Sequence, residues 1–295
     1  MISKLFSAAC SLLFPVFILM TGLSSCYTPT EGCLNIEATN FDAAADESCN
    51  DCCTFPQLQL TINHAIEVDG VINSDSCITH SRDSVLTNDG VNFFQLQDIA
   101  FYLSDFELVM PTGDIFVVED TISLMIYEDL VSQSDKDTTV KDDFVLIERG
   151  LFSYDVGEFR TSGTFSQIRF KVGIPPRFNT TNPDTLAASH PLSSEQAMHT
   201  ADRSSGYIFQ QFSIDKDTSA DSTDIFIYNV DRIFTSTIQI DLPLNLTFEP
   251  GFDLEIPLKV NYTEWLQGIN FATDDDESIK TQIVENTAGA FEIDN

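Results

Sequence analysis

The sequence predicts an all-β fold: an antiparallel β-sandwich with long irregular loops and a short C-terminal helix. Three observations carry this. Apolar and polar residues alternate at period two in one segment after another, the pattern of half-buried strands. Gly, Pro, Asn and Asp cluster between those segments, as turns require. Hydrophobic residues make up 43% of the chain and charged residues 20%, and there are 24 Phe, so a sizeable core can be buried.

Met1 to Cys26 reads as a lipoprotein signal peptide. Lys4 gives a positive start, Leu5 to Met20 an apolar run, and Leu23-Ser24-Ser25-Cys26 resembles a bacterial lipobox, in which Cys26 would be acylated. Pro15 and Thr21-Gly22 break the run, which argues against a transmembrane anchor. The expected location is extracytoplasmic, with the chain tethered by lipid to a bacterial membrane, at the periplasmic face of the outer membrane or the cell surface. Residues 27–56 then form a short Cys-containing module and linker, and residues 57–295 the sandwich domain.

In the module, Gly32-Cys33 through Ser48-Cys49 looks like a short unit found in exported bacterial proteins, closed by its cysteines. Asn40, Asp42, Asp46 and Glu47 could face a calcium ion, but their spacing is not that of an EF-hand loop, and a solvated turn is the simpler reading. Of seven cysteines, Cys10 leaves with the signal and Cys26 takes lipid. Cys33, Cys49, Cys52, Cys53 and Cys77 remain, an odd number, so at least one thiol is free, metal-bound or intermolecular. The expected pairing is Cys33 with Cys49, and Cys52 or Cys53 with Cys77. Cys49-x-x-Cys52 could also be half a zinc site or a redox motif, although no second CxxC or CxxH follows.

The main domain opens with strict alternation over Leu58 to His64, followed by an irregular loop from Glu67 to Gly90. Val91 to Asp114 is the densest aromatic stretch. Its alternation runs through Phe94, Leu96, Ile99, Phe101 and Leu103, then slips phase at Phe106 and Leu108, which predicts a bulge near Ser104 and Asp105. Pro111 to Asp114 reverses the chain, and Ile115 to Tyr127 should pair back as a hairpin. The acidic Ser132 to Asp143 segment reads as a surface loop. Phe165 to Ile174 is a strand ended by Pro175-Pro176. Arg177 to Arg203 is an irregular insertion with one short helix, Ser193 to Met198, capped by Ser193. Strands resume at Tyr207–Ile214, Ile225–Val230, Thr237–Leu242 and Phe252–Tyr262. Asp274-Asp275-Asp276 places anions at the positive end of a terminal helix, Glu277–Asn286.

Fourteen basic against 46 acidic residues give a net charge of −32. That excludes nucleic acid as a partner, because phosphate binding needs Lys and Arg. It also excludes docking on anionic lipid through a basic patch; solubility is the ordinary role of such a surface.

The run from Leu96 to Leu108 resembles the "lxxYYlSnixL" signature of the copper-binding periplasmic MbnP-like domain family. Ile168 to Ile174, Ser205 to Phe209, and Asn286 with Ala290-Phe291 agree in order, so the resemblance spans about Leu58 to Phe291. It implies copper held by imidazoles, in some members beside a tryptophan oxidised by a dihaem peroxidase-like partner. Imidazole suits copper as a borderline-soft nitrogen donor. The chain departs from the family at two places: Met198 to Ser205 lacks the Trp of "MxWxWnsGY", and Tyr228 stands where "FxfHxG" has its His. His64 matches a strand-end His of the family and could meet His199, with Asp202 or Tyr228 completing the set. Otherwise His64 sits at a strand end, His80, His190 and His199 lie in exposed loops, and Trp265 is an ordinary core or rim aromatic.

No GxSxG elbow, HExxH helix, P-loop or Rossmann glycine set is present, and carboxylates are too plentiful for any pair to stand out. The expectation is a non-enzymatic MbnP-like protein binding a metal ion or small ligand at the loop end of its sandwich. The alternative is a surface interaction module with a protein or glycan partner and the copper site lost. A hydrolase is the third reading.

Overall fold

The computed structural model describes residues 27–49, 51–68, 71–74, 85–129, 134–196, 198–200, 206–216, 225–231, 237–243 and 246–294. The export signal with Cys26, and also Cys77, His80 and Asp202, lie outside the described residues. The chain divides into a small unit, described over residues 27–35 and 41–53, and a main unit of Ile36–Asn40 with Thr54–Asn295.

In the small unit, β1 (Glu31–Gly32) pairs in parallel with β2 (Glu47–Ser48). Two disulfides close it, Cys33–Cys53 and Cys49–Cys52. The expected Cys33–Cys49 bridge is therefore wrong, and neither Cys52 nor Cys53 is left for Cys77. The chain turns back after Cys49, bringing Cys53 to 5.1 Å from Cys33 (Cα–Cα) and Cys52 to 5.7 Å from Cys49, both within bridging range. Asp42 accepts from the Ala44 N–H and Asp46 from the Thr30 N–H, each at 2.9 Å, so these carboxylates cap turns.

The main unit contains β3 (Gln57–Val68), β4 (Val71–Ser74), β5 (Val85–Thr87), β6 (Phe93–Val109), β7 (Ile115–Val117), β8 (Thr121–Asp129) and β9 (Ser134–Lys141). Next come β10 (Val145–Glu148), β11 (Ser153–Glu158), β12 (Gly163–Thr164), β13 (Gln167–Val172), β14 (Ile208–Asp215) and β15 (Ile225–Asp231). The chain ends with β16 (Ile238–Asp241), β17 (Thr247–Phe248), β18 (Leu254–Asn261), helix α1 (Tyr262–Trp265), helix α2 (Asp276–Asn286) and β19 (Phe291–Ile293).

Strand β6 organises the larger sheet, ordered β15-β14-β6-β13-β16, and β5, β7 and β10 also pair with it. The facing sheet is β11-β3-β18-β19, with β4 on β3. Its β3–β18 pair is parallel, with Leu58 opposite Leu254, in an otherwise antiparallel sandwich. Parallel neighbours need a long connection, and here most of the chain intervenes. Between the sheets, Phe94, Leu96, Ile99, Phe101, Leu103, Phe106 and Leu108 of β6 pack with Leu58, Leu60, Ile62, Ile256, Leu258, Val260 and Trp265.

The phase slip in β6 is a real bulge. Arg169 of β13 pairs with Glu107 but Lys171 pairs with Ser104, so β6 carries one extra residue. Asp105 absorbs it at φ 54°, a left-handed conformation that side chains with a Cβ rarely adopt. As expected, β7 folds back on β6. By contrast, β8 leaves to pair with β9, so the segment expected as an acidic loop is a strand. Thr138, Thr139 and Val140 supply the β-propensity that its charges masked.

The insertion after β13 is packed, not loose. Phe178, Leu192 and Met198 join Tyr102, Leu146 and Ile208 in a second core on the outer face of the β6 sheet, with Leu124 of β8. The expected helix there is a single 3-10 turn, Ser194–Gln196. Helix α2 begins as expected, with Asp275 accepting from the Ser278 N–H at 3.0 Å.

Candidate functional site

His64 lies near the end of β3 and is 8% exposed. Its Nε2 is 3.1 Å from the Leu151 carbonyl and its Nδ1 2.5 Å from the Tyr262 hydroxyl. Because a carbonyl can only accept, Nε2 carries the proton and Nδ1 accepts from the Tyr262 O–H. Burial, reinforced by the Arg149 charge and opposed by the Leu151 carbonyl, depresses its pKa, so the ring is held neutral. Both nitrogens are thus engaged, and Tyr262 stacks on the ring at 5.7 Å.

His199 is elsewhere. It forms a bridge with Tyr207 and stands edge-on to that ring at 4.7 Å, and Tyr207 belongs to the outer core. His64 is instead fixed through Tyr262, a member of the inner core, so the two histidines have different partners. Tyr228 is 2% exposed within the inner core, with its ring 5.7 Å from Phe271. Among the described residues, no group of three or more His, Cys, Asp or Glu is placed to hold a metal ion. His190 was expected in an exposed loop, but its side chain is 10% exposed, with Nε2 3.0 Å from Asp142 and Nδ1 accepting from the Leu192 N–H.

Two clefts lined by described residues open on the main unit. One, of about 230 Å³, adjoins Leu151 and is lined by Asp98, Glu148, Arg149, Met198 and Gln211. The Arg149 guanidinium there donates to the Leu96 and Gln97 carbonyls. The other, of about 280 Å³, opens at the β6 bulge. Asp143, at 5% exposure, accepts from the Phe106 N–H at 3.0 Å, and burial lifts its carboxyl to about 6. Lys171 pairs with Asp105 at 2.8 Å. The phase slip marks this bulge in the sequence, whereas Asp143 ends an acidic stretch that reads as a surface loop.

The residues on which the sequence resemblance rests hold the fold. Tyr102 and Tyr207 are buried, and their hydroxyls donate to the Pro191 and Leu192 carbonyls at 3.0 and 2.6 Å, pinning the insertion. Ser104 donates to the Gly173 carbonyl at 2.8 Å. Asn286 donates to the Trp265 and Gln267 carbonyls, while Phe291 packs 5.3 Å from Trp265. A family model described as MbnP matches residues 56–283. The chain belongs to the MbnP family. Among solved structures, MbnP from Methylosinus trichosporium is similar at 16% identity, covering 74% of this chain and 79% of that one, with a TM-score of 0.42. A search of curated proteins found no match. In this MbnP chain, Trp265 is fully buried and its indole N–H donates to the Ile283 carbonyl and Thr287 hydroxyl, each at 3.2 Å. It is a core aromatic.

Proposed function

We propose that the chain is a lipid-anchored, extracytoplasmic MbnP-type binding protein without enzymatic activity, whose ligand is not copper held by His64 and His199. The lipobox-like Leu23 to Cys26 supports the anchor and location. One observation carries the rejection of that copper site: both His64 nitrogens are spent inside the fold. For Nδ1 to take a metal, the buried Tyr262 hydroxyl would lose its acceptor, at a cost of about 1–3 kcal/mol. His199 stands edge-on to Tyr207, a residue of the outer core. The donor set expected from the resemblance therefore does not fit the metal, and the dihaem partner implied with it has no separate support. Tyr102, Ser104, Tyr207 and Asn286, which carry the resemblance in the sequence, build the scaffold that any ligand would use.

Copper titration of the purified exported chain tests this reading. The expected result is no stoichiometric binding, with the same trace in the doubly substituted His64→Ala, His199→Ala protein. One equivalent bound by the parent and lost in that variant would restore the copper reading.

A further inference from the structure

The cleft at the β6 bulge gathers Lys141, Lys171 and Arg177, three of only 14 basic residues, with Asp105, Glu107 and Asp143. In a chain with 46 acidic residues, cations are easily paired. Lys171 pairs with Asp105, and Glu107 lies 3.7 Å from Arg169. Lys141 and Arg177 are both exposed, and neither forms an ion pair with a carboxylate among the described residues. The cleft thus offers two exposed cations outside any direct carboxylate ion pair, Lys141 acting on Asp143 only through its charge, beside a buried carboxylate that lies under a strained bulge. Perturbed acids and left-handed non-glycine residues concentrate at sites that bind or react.

We propose that this cleft binds a small zwitterion, a free α-amino acid, with its carboxylate on Arg177 and Lys141 and its ammonium facing Asp143 and Glu107. Charge and size decide the class. A net anion is repelled by a molecule of charge −32, whereas a zwitterion is not. A lone cation would gain nothing from Arg177 and Lys141. About 280 Å³ is at the small end for ligand sites, which favours an amino acid over a peptide. Arg177 presents a planar fork suited to a carboxylate, steadied by its position 4.3 Å over the Phe178 ring.

Asp143 adds a second readout. Burial, helped by Asp105 of β6, disfavours its charge, while the Phe106 N–H and Lys141 favour it, and Lys171 is paired with Asp105. A ligand ammonium would favour the ionised form, so binding releases protons and weakens as pH falls below about 6. The inference takes the chain to be a binding protein but does not depend on the fate of copper, which a separate titration reads.

The test is calorimetric titration of the full exported chain with L-alanine and L-glutamine, using acetate and methylamine as the two half-ligands. We expect one amino acid bound per chain at micromolar to millimolar concentration, with each half-ligand at least about tenfold weaker. Arg177→Gln and Lys141→Gln should each weaken binding about tenfold without moving Tm, since both side chains are on the surface. Absence of amino-acid binding would overturn the proposal. Acetate binding as tightly as alanine would reduce the cleft to an anion site, and indifference to both substitutions would place the ligand elsewhere.

Discussion

Replacing Tyr207 by Phe isolates one hydrogen bond. The phenyl ring keeps its place in the outer core, 5.9 Å from Tyr102, but the Leu192 carbonyl loses a donor at 2.6 Å in a fully buried setting. An unsatisfied buried carbonyl costs about 1–3 kcal/mol. For a domain of this size that lowers Tm by roughly 2–4 °C per kcal/mol. Tyr102→Phe removes the corresponding bond to the neighbouring Pro191 carbonyl. Since both hydroxyls hold the same turn, losing one leaves the other worse placed, and the double-mutant cycle should show coupling of about 0.5 kcal/mol or more. Urea unfolding of the parent, both single variants and the double variant measures all four corners. Single effects below about 0.3 kcal/mol, or strict additivity, would refute the idea that these two tyrosines jointly fix the insertion.

Stability should depend on pH with opposite signs at two residues. Asp143 has a folded pKa of about 6 against 3.8 for the free group, so its proton stabilises the fold at low pH. That contribution, about 3 kcal/mol, is present below about pH 4 and is lost as pH rises through about 6; Asp143→Asn should flatten it in urea unfolding at stepped pH. His64 has a depressed pKa, so its contribution is present above pH 6.5 and is lost on acidification below that value; His64→Gln should remove that slope. Gly206 sits at φ 73°, where a Cβ would come within 2.3 Å of the Asn179 carbonyl oxygen; Gly206→Ala should cost at least about 2 kcal/mol in thermal unfolding. Peptide mapping without reduction should recover Cys33 joined to Cys53 and Cys49 joined to Cys52, whereas a Cys33–Cys49 peptide would contradict the small unit.

Where function follows local pattern, the residues announced it. The slip between Leu103 and Phe106 can only be absorbed by an extra residue, and Asp105 is that residue. Pro111 and Gly113 set the reversal between β6 and β7, and the Asp run marks the start of α2. What escaped depends on distant partners. The parallel seat of β18 beside β3 is decided by the whole sheet, which no window of sequence contains. His64 has the chemistry of a ligand until Tyr262, 198 positions away, takes its Nδ1. Cys33 reads from the sequence as the mate of Cys49, yet it is Cys53 that comes within 5.1 Å of it (Cα–Cα), a proximity that spacing along the chain does not show. Asp143 looks like one more surface acid in an acidic stretch, although the Phe106 N–H draws it inside.

The most direct measurement is the metal content of the protein recovered from its own membrane under gentle conditions. With His64 locked between Tyr262 and Leu151, copper should be well below one atom per chain and unchanged by His64→Ala. A full equivalent of copper that disappears with that substitution would mean that His64 leaves both bonds to take the metal, and the division into scaffold motifs and an altered binding end would fail.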